Sequence, residues 1–230
     1  MISVLCPSRG RPVFARELLE SIRATAVLQF VELILRLDDD DPHLGEYLDQ
    51  VTGTDVNVIV GPRVILSQCW NEAAGKALND VMMLCGDDIR FRTPGWDDYV
   101  CQAICSVPDR ILLVHGRDGI QDDRVATHPF LHRRWVETTG YFCPPLFASD
   151  YNDMWLTEVA DLIGRRRYLD HVYTEHLHPV VGKHYLDQTH LERLARHRWD
   201  DCDRIYTDTV QDRHADADKL RAVLQPVEPG

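Results

Sequence analysis

The chain has 230 residues, 44% of them hydrophobic and 27% charged, too apolar for disorder and long enough to bury the core of one α/β domain. Its formal net charge of −12 opposes a nucleic-acid backbone unless basic residues gather locally. No stretch is long and apolar enough to cross a bilayer, and the N-terminus lacks the layout of a signal peptide, so the expectation is a cytoplasmic protein.

Residues 2–6 read as a buried first strand ending at Pro7, and 12–26 as a helix with Val13, Leu18, Leu19, Ile22 and Ala26 on one face. Strands follow at 30–37 and 56–60, the latter closed by Gly61 and Pro62. Helical spacing returns over 64–79 through Ile65, Cys69, Ala73 and Ala77, and 81–85 is a continuously apolar strand. Such a strand needs helices on both faces of its sheet. The alternation predicts an α/β fold with a mostly parallel central sheet flanked by helices, a Rossmann-like single domain. Past Thr93, Pro94 and Gly95 the spacing predicts a helix at 96–106, a strand at 111–115, a helix at 150–163, an extended run at 168–177, and polar helices at 187–198 and 216–224. The seven cysteines (Cys6, Cys69, Cys85, Cys101, Cys105, Cys143, Cys202) are odd in number and form no C-x-x-C. They read as core residues of a reducing compartment.

The richest stretch is 81–91, where the apolar strand runs into Gly86, Asp87 and Asp88. Ligands of open parallel sheets bind beyond the carboxyl ends of strands, and carboxylates there suit a hard cation such as Mg²⁺ or Mn²⁺. A solvated turn is the competing reading, because Asp is common in turns.

The run from Asn71 through Asp87, Asp88 and Pro94-Gly95-Trp96 to Val100 resembles the core of inverting GT-A glycosyltransferases of the family 2 kind. There a helix carrying an Asn leads to a strand ending in D-x-D, then an apolar residue and a P-G-W segment. The resemblance implies a single GT-A domain over 1–230, with a nucleotide-sugar-binding half at 1–92 and an acceptor half at 93–230. It implies that Asp88 binds the Mn²⁺ or Mg²⁺ that neutralises the donor diphosphate, with Asp87 beside it on metal or ribose. One departure stands out. Gly86 occupies the first motif position, so both carboxylates reach one cation only where the strand has already turned.

The same resemblance sets the loop with Pro7, Arg9 and Arg11 near the donor, Asp38 and Asp39 on the N3–H of a uracil, and Arg63 near base or phosphate. A carboxylate only accepts, so it selects uracil over cytosine. Within 147–158 (FASDYNDMWLTE), Asp153 fits the family's catalytic base best and Asp150 is the runner-up. Both sit where carboxylates also cap helices. His176 and His178 share a face of an extended run near Lys183, and either supplies a C-terminal metal ligand.

The resemblance implies transfer of a sugar from a nucleotide diphosphate, UDP above others, to a hydroxyl acceptor. A glycan acceptor is favoured. The basic and aromatic clusters at 133–135, 165–168 and 193–199 keep hydroxymethylated DNA open, as in phage-type enzymes acting in a host cytoplasm. A sugar-phosphate nucleotidyltransferase and a non-catalytic sugar- or nucleotide-binding domain are the rival readings. The donor sugar and oligomeric state are not legible.

Overall fold

The computed structural model describes residues 1–28, 30–179, 182 and 186–226. Along the chain run β1 (Ile2–Ser8), α1 (Pro12–Thr25), β2 (Val31–Asp38), α2 (Leu44–Gln50), β3 (Val56–Gly61), α3 (Leu66–Ala74), β4 (Val81–Leu84), β5 (Ile89–Phe91) and α4 (Trp96–Cys105). Then follow β6 (Leu113–Arg117), β7 (Phe130–His132), α5 (Arg133–Thr139), α6 (Asn152–Leu162), β8 (Arg166–His176), α7 (Gln188–Trp199), α8 (Cys202–Asp208) and α9 (Val210–Arg221).

The strands form one sheet in the order β3-β2-β1-β4-β7-β6-β8-β5. Ladders β1–β2, β2–β3, β1–β4 and β6–β8 are parallel, whereas β4–β7, β6–β7 and β5–β8 are antiparallel. The sheet is sandwiched because side chains alternate along each strand. Val4, Cys6, Leu33, Leu35 and Met83 pack with Leu18, Ile22, Trp96 and Val100 of α1 and α4. The intervening Leu5, Ile34, Met82 and Leu84 pack with Trp70, Trp135, Trp155 and Leu220 of α3, α5, α6 and α9. The two-sided burial expected of 81–85 is met.

The structure corrects several boundaries. Helix α3 stops at Ala74 rather than residue 79, and Leu78 is 83% exposed. The last helix begins at Val210, six residues before the expected start. Val13, expected on the buried face of α1, is exposed, as is Cys105, and Cys101 is only partly covered. The sequence reading passes over α2, β5, β7, α5 and α8. The strands among them have three residues each, too few to establish an alternation.

The P-G-W segment acts as a clamp between helices. Gly95 takes φ 75° and donates its N–H to the Thr25 carbonyl at 2.7 Å, while Trp96 Nε1 donates to Thr25 Oγ1 at 3.1 Å. The fully buried Asp97 accepts from the Val27 and Leu28 amides. No described helix is long and apolar enough to cross a membrane.

Candidate active site

β1 has β2 on one side and β4 on the other, so successive connections leave it in opposite directions and open a crevice at the strands' carboxyl ends. Pro7, Arg9, Arg11, Asp38, Arg63, Asp87, Asp88, Asp150, Asp153, His176 and His178 all line one cleft there. Asp39, expected on the donor base, is exposed and lies outside it; the chain turns at the strand end and directs only Asp38 inward.

The loop after β1 is held firmly. The Gly10 amide, at φ 69°, donates to Asp41 at 2.8 Å, and the Arg11 amide donates to Tyr47 Oη at 2.7 Å. Arg9 Nη1 reaches Asp38 at 3.1 Å, and Arg11 reaches Asp87 at 3.1 Å and Asp187 at 2.7 Å. Arg63 contacts Glu192 at 2.5 Å and approaches Asp38 at 3.8 Å. Beneath them, Arg36 is buried and donates to Glu72 (2.6 Å), the Leu37 carbonyl (2.5 Å), Asp38 (3.3 Å) and the Pro62 carbonyl (2.6 Å). One guanidinium thereby fixes the ends of β2 and β3 relative to α3.

At the tip of β4 the strand has indeed turned, and its two carboxylates diverge. Asp87 accepts from Ser8 Oγ at 2.6 Å and from Arg11. Asp88 points the other way, 3.5 Å from His176 Nε2. Pairing of Ile89 with His176 in the β5–β8 ladder delivers that histidine to the strand tip, and the Leu177 amide donates to the Asp88 carbonyl at 2.9 Å. Burial and the neighbouring Asp88 charge raise the Asp87 carboxyl above its usual range, against the pull of Arg11. Burial also works against ionised Asp88, but His176 outweighs it and holds that carboxyl below its usual range. Burial likewise opposes a charged His176, yet Asp118, 3.8 Å from Nδ1, and Asp88 push it up to about 9. His178 packs between His176 and His190, with ring centroids 5.2 and 5.3 Å away. Lys183 lies outside the described residues.

Asp88 and His176 fit a cation that completes its shell with phosphate oxygens, since Mg²⁺-type sites take few protein ligands and several from substrate. Among the described residues, no three His, Cys, Asp or Glu side chains converge as a ready-made metal cage.

The opposite wall is the start of α6. Asp150 does not cap this helix; Tyr151 occupies the N-cap at φ 73°. The Asp150 carboxylate is instead paired with Arg193 and, at 2.8 Å, with His197 Nδ1. Asp153, in the first turn, makes no ion pair among the described residues and accepts from the adjacent Met154 amide, at 2.8 Å. Withdrawal from water, with the nearby Asp150 charge, pushes its carboxyl up to about 6.

Sequence reasoning missed Arg36, Asp118, His128, Asp187, His190 and Glu192. A charged residue within the apolar run of β2 was a signal for Arg36. The others come from loops and a polar helix whose spacing carries no mark of the cleft.

The α/β layering, strand order and strand-tip crevice form a GT-A-like fold. No family model matches the sequence, and no curated protein aligns with it significantly. Among solved structures, the mannosyltransferase PcManGT from Pyrobaculum calidifontis, in complex with GDP-Man and Mn²⁺, is similar with a TM-score of 0.63 at 14% identity, over 79% of this chain and 58% of that one. TarS 1-349 from S. aureus is similar with a TM-score of 0.59 at 13% identity, over 75% of this chain and 59% of that one. Its complex with UDP-GlcNAc gives 0.58 at 13% identity, over 76% and 58%. The matched region is thus under three-fifths of the length of these proteins, and at such identity the likeness is one of fold.

Proposed function

We propose that the protein is a glycosyltransferase that moves a sugar from a nucleotide diphosphate, a UDP-sugar, to a hydroxyl of a saccharide, with inversion. The observation that carries this reading is Asp153, a carboxylate with no ion-pair partner among the described residues, raised to about 6 in the same cleft as the acidic tip of β4. Near neutral pH such a group is ionised yet basic enough to take the acceptor's proton as the hydroxyl attacks the anomeric carbon. Asp150 is a poorer base because Arg193 and His197 already hold it. The GT-A-like fold, shared with a mannosyltransferase solved with GDP-Man and Mn²⁺, supports the donor class.

On the donor side Asp38 accepts the uracil N3–H, while Arg9, Arg11 and Arg63 face the nucleotide and its phosphates. Asp88 and His176 hold Mn²⁺ or Mg²⁺, with His178 beside them. A divalent cation so bound neutralises charge on the departing diphosphate. Residues 1–92 form the donor half and 93–230 the acceptor half. A saccharide is favoured over DNA because the basic clusters are spent internally: Arg165 on Asp109 (3.1 Å), Arg166 on Asp161 (2.6 Å), Arg133 on Asp80 (3.4 Å) and Arg193 on Asp150.

Incubation with a panel of nucleotide sugars, saccharide acceptors and Mn²⁺ tests the proposal. Release of UDP coupled to a new glycoside supports it. Release of pyrophosphate from a nucleoside triphosphate and a sugar phosphate would make the protein a nucleotidyltransferase. We expect Asp88→Ala to lower turnover at least hundredfold, and unchanged turnover removes the cation site from β4.

A further inference from the structure

His128 makes no ion pair among the described residues. It follows Thr127 in the cleft wall and is only 8% exposed. Among the described residues neither ring nitrogen has a hydrogen-bond partner of normal geometry, although the Leu84 carbonyl interacts with the ring. A buried polar atom left without a partner costs about 1–3 kcal/mol, and native interiors leave few of them.

The ring stands beside the strand tip in the cleft wall. Its Cε1, the carbon between the two nitrogens, looks towards Gly86. A Cβ at that position would stand 3.8 Å from Cε1 and 2.8 Å from Asp88 Oδ1. Glycine therefore keeps a gap between imidazole and carboxylate at the strand tip. On another side the ring meets His176 edge-on, with centroids 5.0 Å apart.

The segment carrying His128 is pinned at both ends. The Ala126 amide donates to Thr157 Oγ1 of α6 at 3.1 Å, and the Pro129 carbonyl accepts from the Leu84 amide of β4 at 2.9 Å. His128 is thereby fixed between the strand that ends at Asp88 and the helix that carries Asp153. In a glycosyl transfer, the anomeric carbon must lie between the departing diphosphate and the attacking hydroxyl. We propose that His128 hydrogen-bonds a hydroxyl of the transferred sugar, making it a residue that selects the donor's sugar rather than its nucleotide. This rests on the glycosyltransferase reading above.

The test compares UDP with UDP-GlcNAc, and GDP with GDP-mannose, by calorimetry in the presence of Mn²⁺, on wild type, His128→Leu and His128→Gln. Loss of one hydrogen bond predicts that His128→Leu binds the nucleotide sugar about tenfold more weakly. Free-nucleotide affinity stays within about twofold, and His128→Gln, which keeps a polar group, recovers part of the loss. Without ligand, His128→Leu melts no lower than wild type, because an apolar group replaces an unsatisfied one. Equal weakening of nucleotide and nucleotide sugar would overturn the proposal, since the partner would then be ribose or phosphate. A loss of Mn²⁺ affinity without nucleotide would overturn it by making the ring a cation ligand, and so would unchanged binding by a folded His128→Leu. A wild type that binds neither pair refutes the glycosyltransferase reading itself, and this inference with it.

Discussion

The Asp153 carboxyl is pushed from an ordinary 3.8 to about 6, which has opposite consequences for activity and for stability. The unfolded chain loses this proton first, so between about pH 4 and 6 the folded state binds more protons. Stability contributed by this group therefore falls as pH rises through that window and stays reduced above it. Asp153→Asn removes the penalty. We expect the variant to be more stable than wild type at pH 8, by at most about 3 kcal/mol, with little difference at pH 4, as read from melting temperatures. Turnover should fall by about 10² to 10⁴, and the wild-type rate should show an acid limb near pH 6 that the variant lacks. A variant that is active, or that shows no pH-dependent gain in stability, moves the base elsewhere. Gain of stability on loss of a functional group is the usual mark of a site held in a strained state.

Among the elements, α7 is the least like a core helix. Its buried residue is His190, while Leu191, Leu194 and Trp199 are exposed. Polar contacts hold it across the cleft: Thr189 Oγ1 donates to the Arg9 carbonyl at 2.8 Å, Arg196 donates to the Val64 carbonyl at 2.8 Å, and Glu192 meets Arg63. Glu192 thus covers a guanidinium that a diphosphate would use. Partly exposed pairs of this kind contribute about 0.2–1 kcal/mol, so Glu192→Gln should tighten UDP binding by up to about fivefold at low salt, with the gain fading as salt is added. Weaker binding would mean that α7 holds the cleft together rather than competing for it. The clamp between α1 and α4 is the opposite case. Asp97→Ala removes the acceptor of two partly buried amides and should cost about 1–2 kcal/mol in urea unfolding, with donor affinity unchanged in the folded fraction.

For the molecule as a whole, a ligand that binds only the folded state adds stability by mass action, about 2.7 kcal/mol at a hundredfold excess over Kd. For a chain of this size, UDP with Mn²⁺ should raise the melting temperature by about 5–10 °C. CDP should do less, because Asp38 can only accept a hydrogen bond and cytosine N3 carries no hydrogen. A larger shift with GDP would reassign the base.

The apolar runs of β1, β2 and β4, and the helical spacing of α1 and α4, were legible from local pattern alone, since burial on both faces of a sheet imposes it residue by residue. Asp88 at a strand tip and Asp153 at a helix start were legible for a related reason: elements end where their periodicity ends, and sites gather at such ends. What each carboxylate meets was not legible. That Asp87 turns to Ser8 and Arg11, that β8 delivers His176 to Asp88, and that Asp150 is neutralised by Arg193 follow from strand order and from packing between distant segments. Chain pattern determined which strand and helix ends bring carboxylates to the cleft, Asp88 and Asp153 among them. The tertiary structure decided their partners, and through those partners which carboxylate, among the described residues, is left without an ion pair.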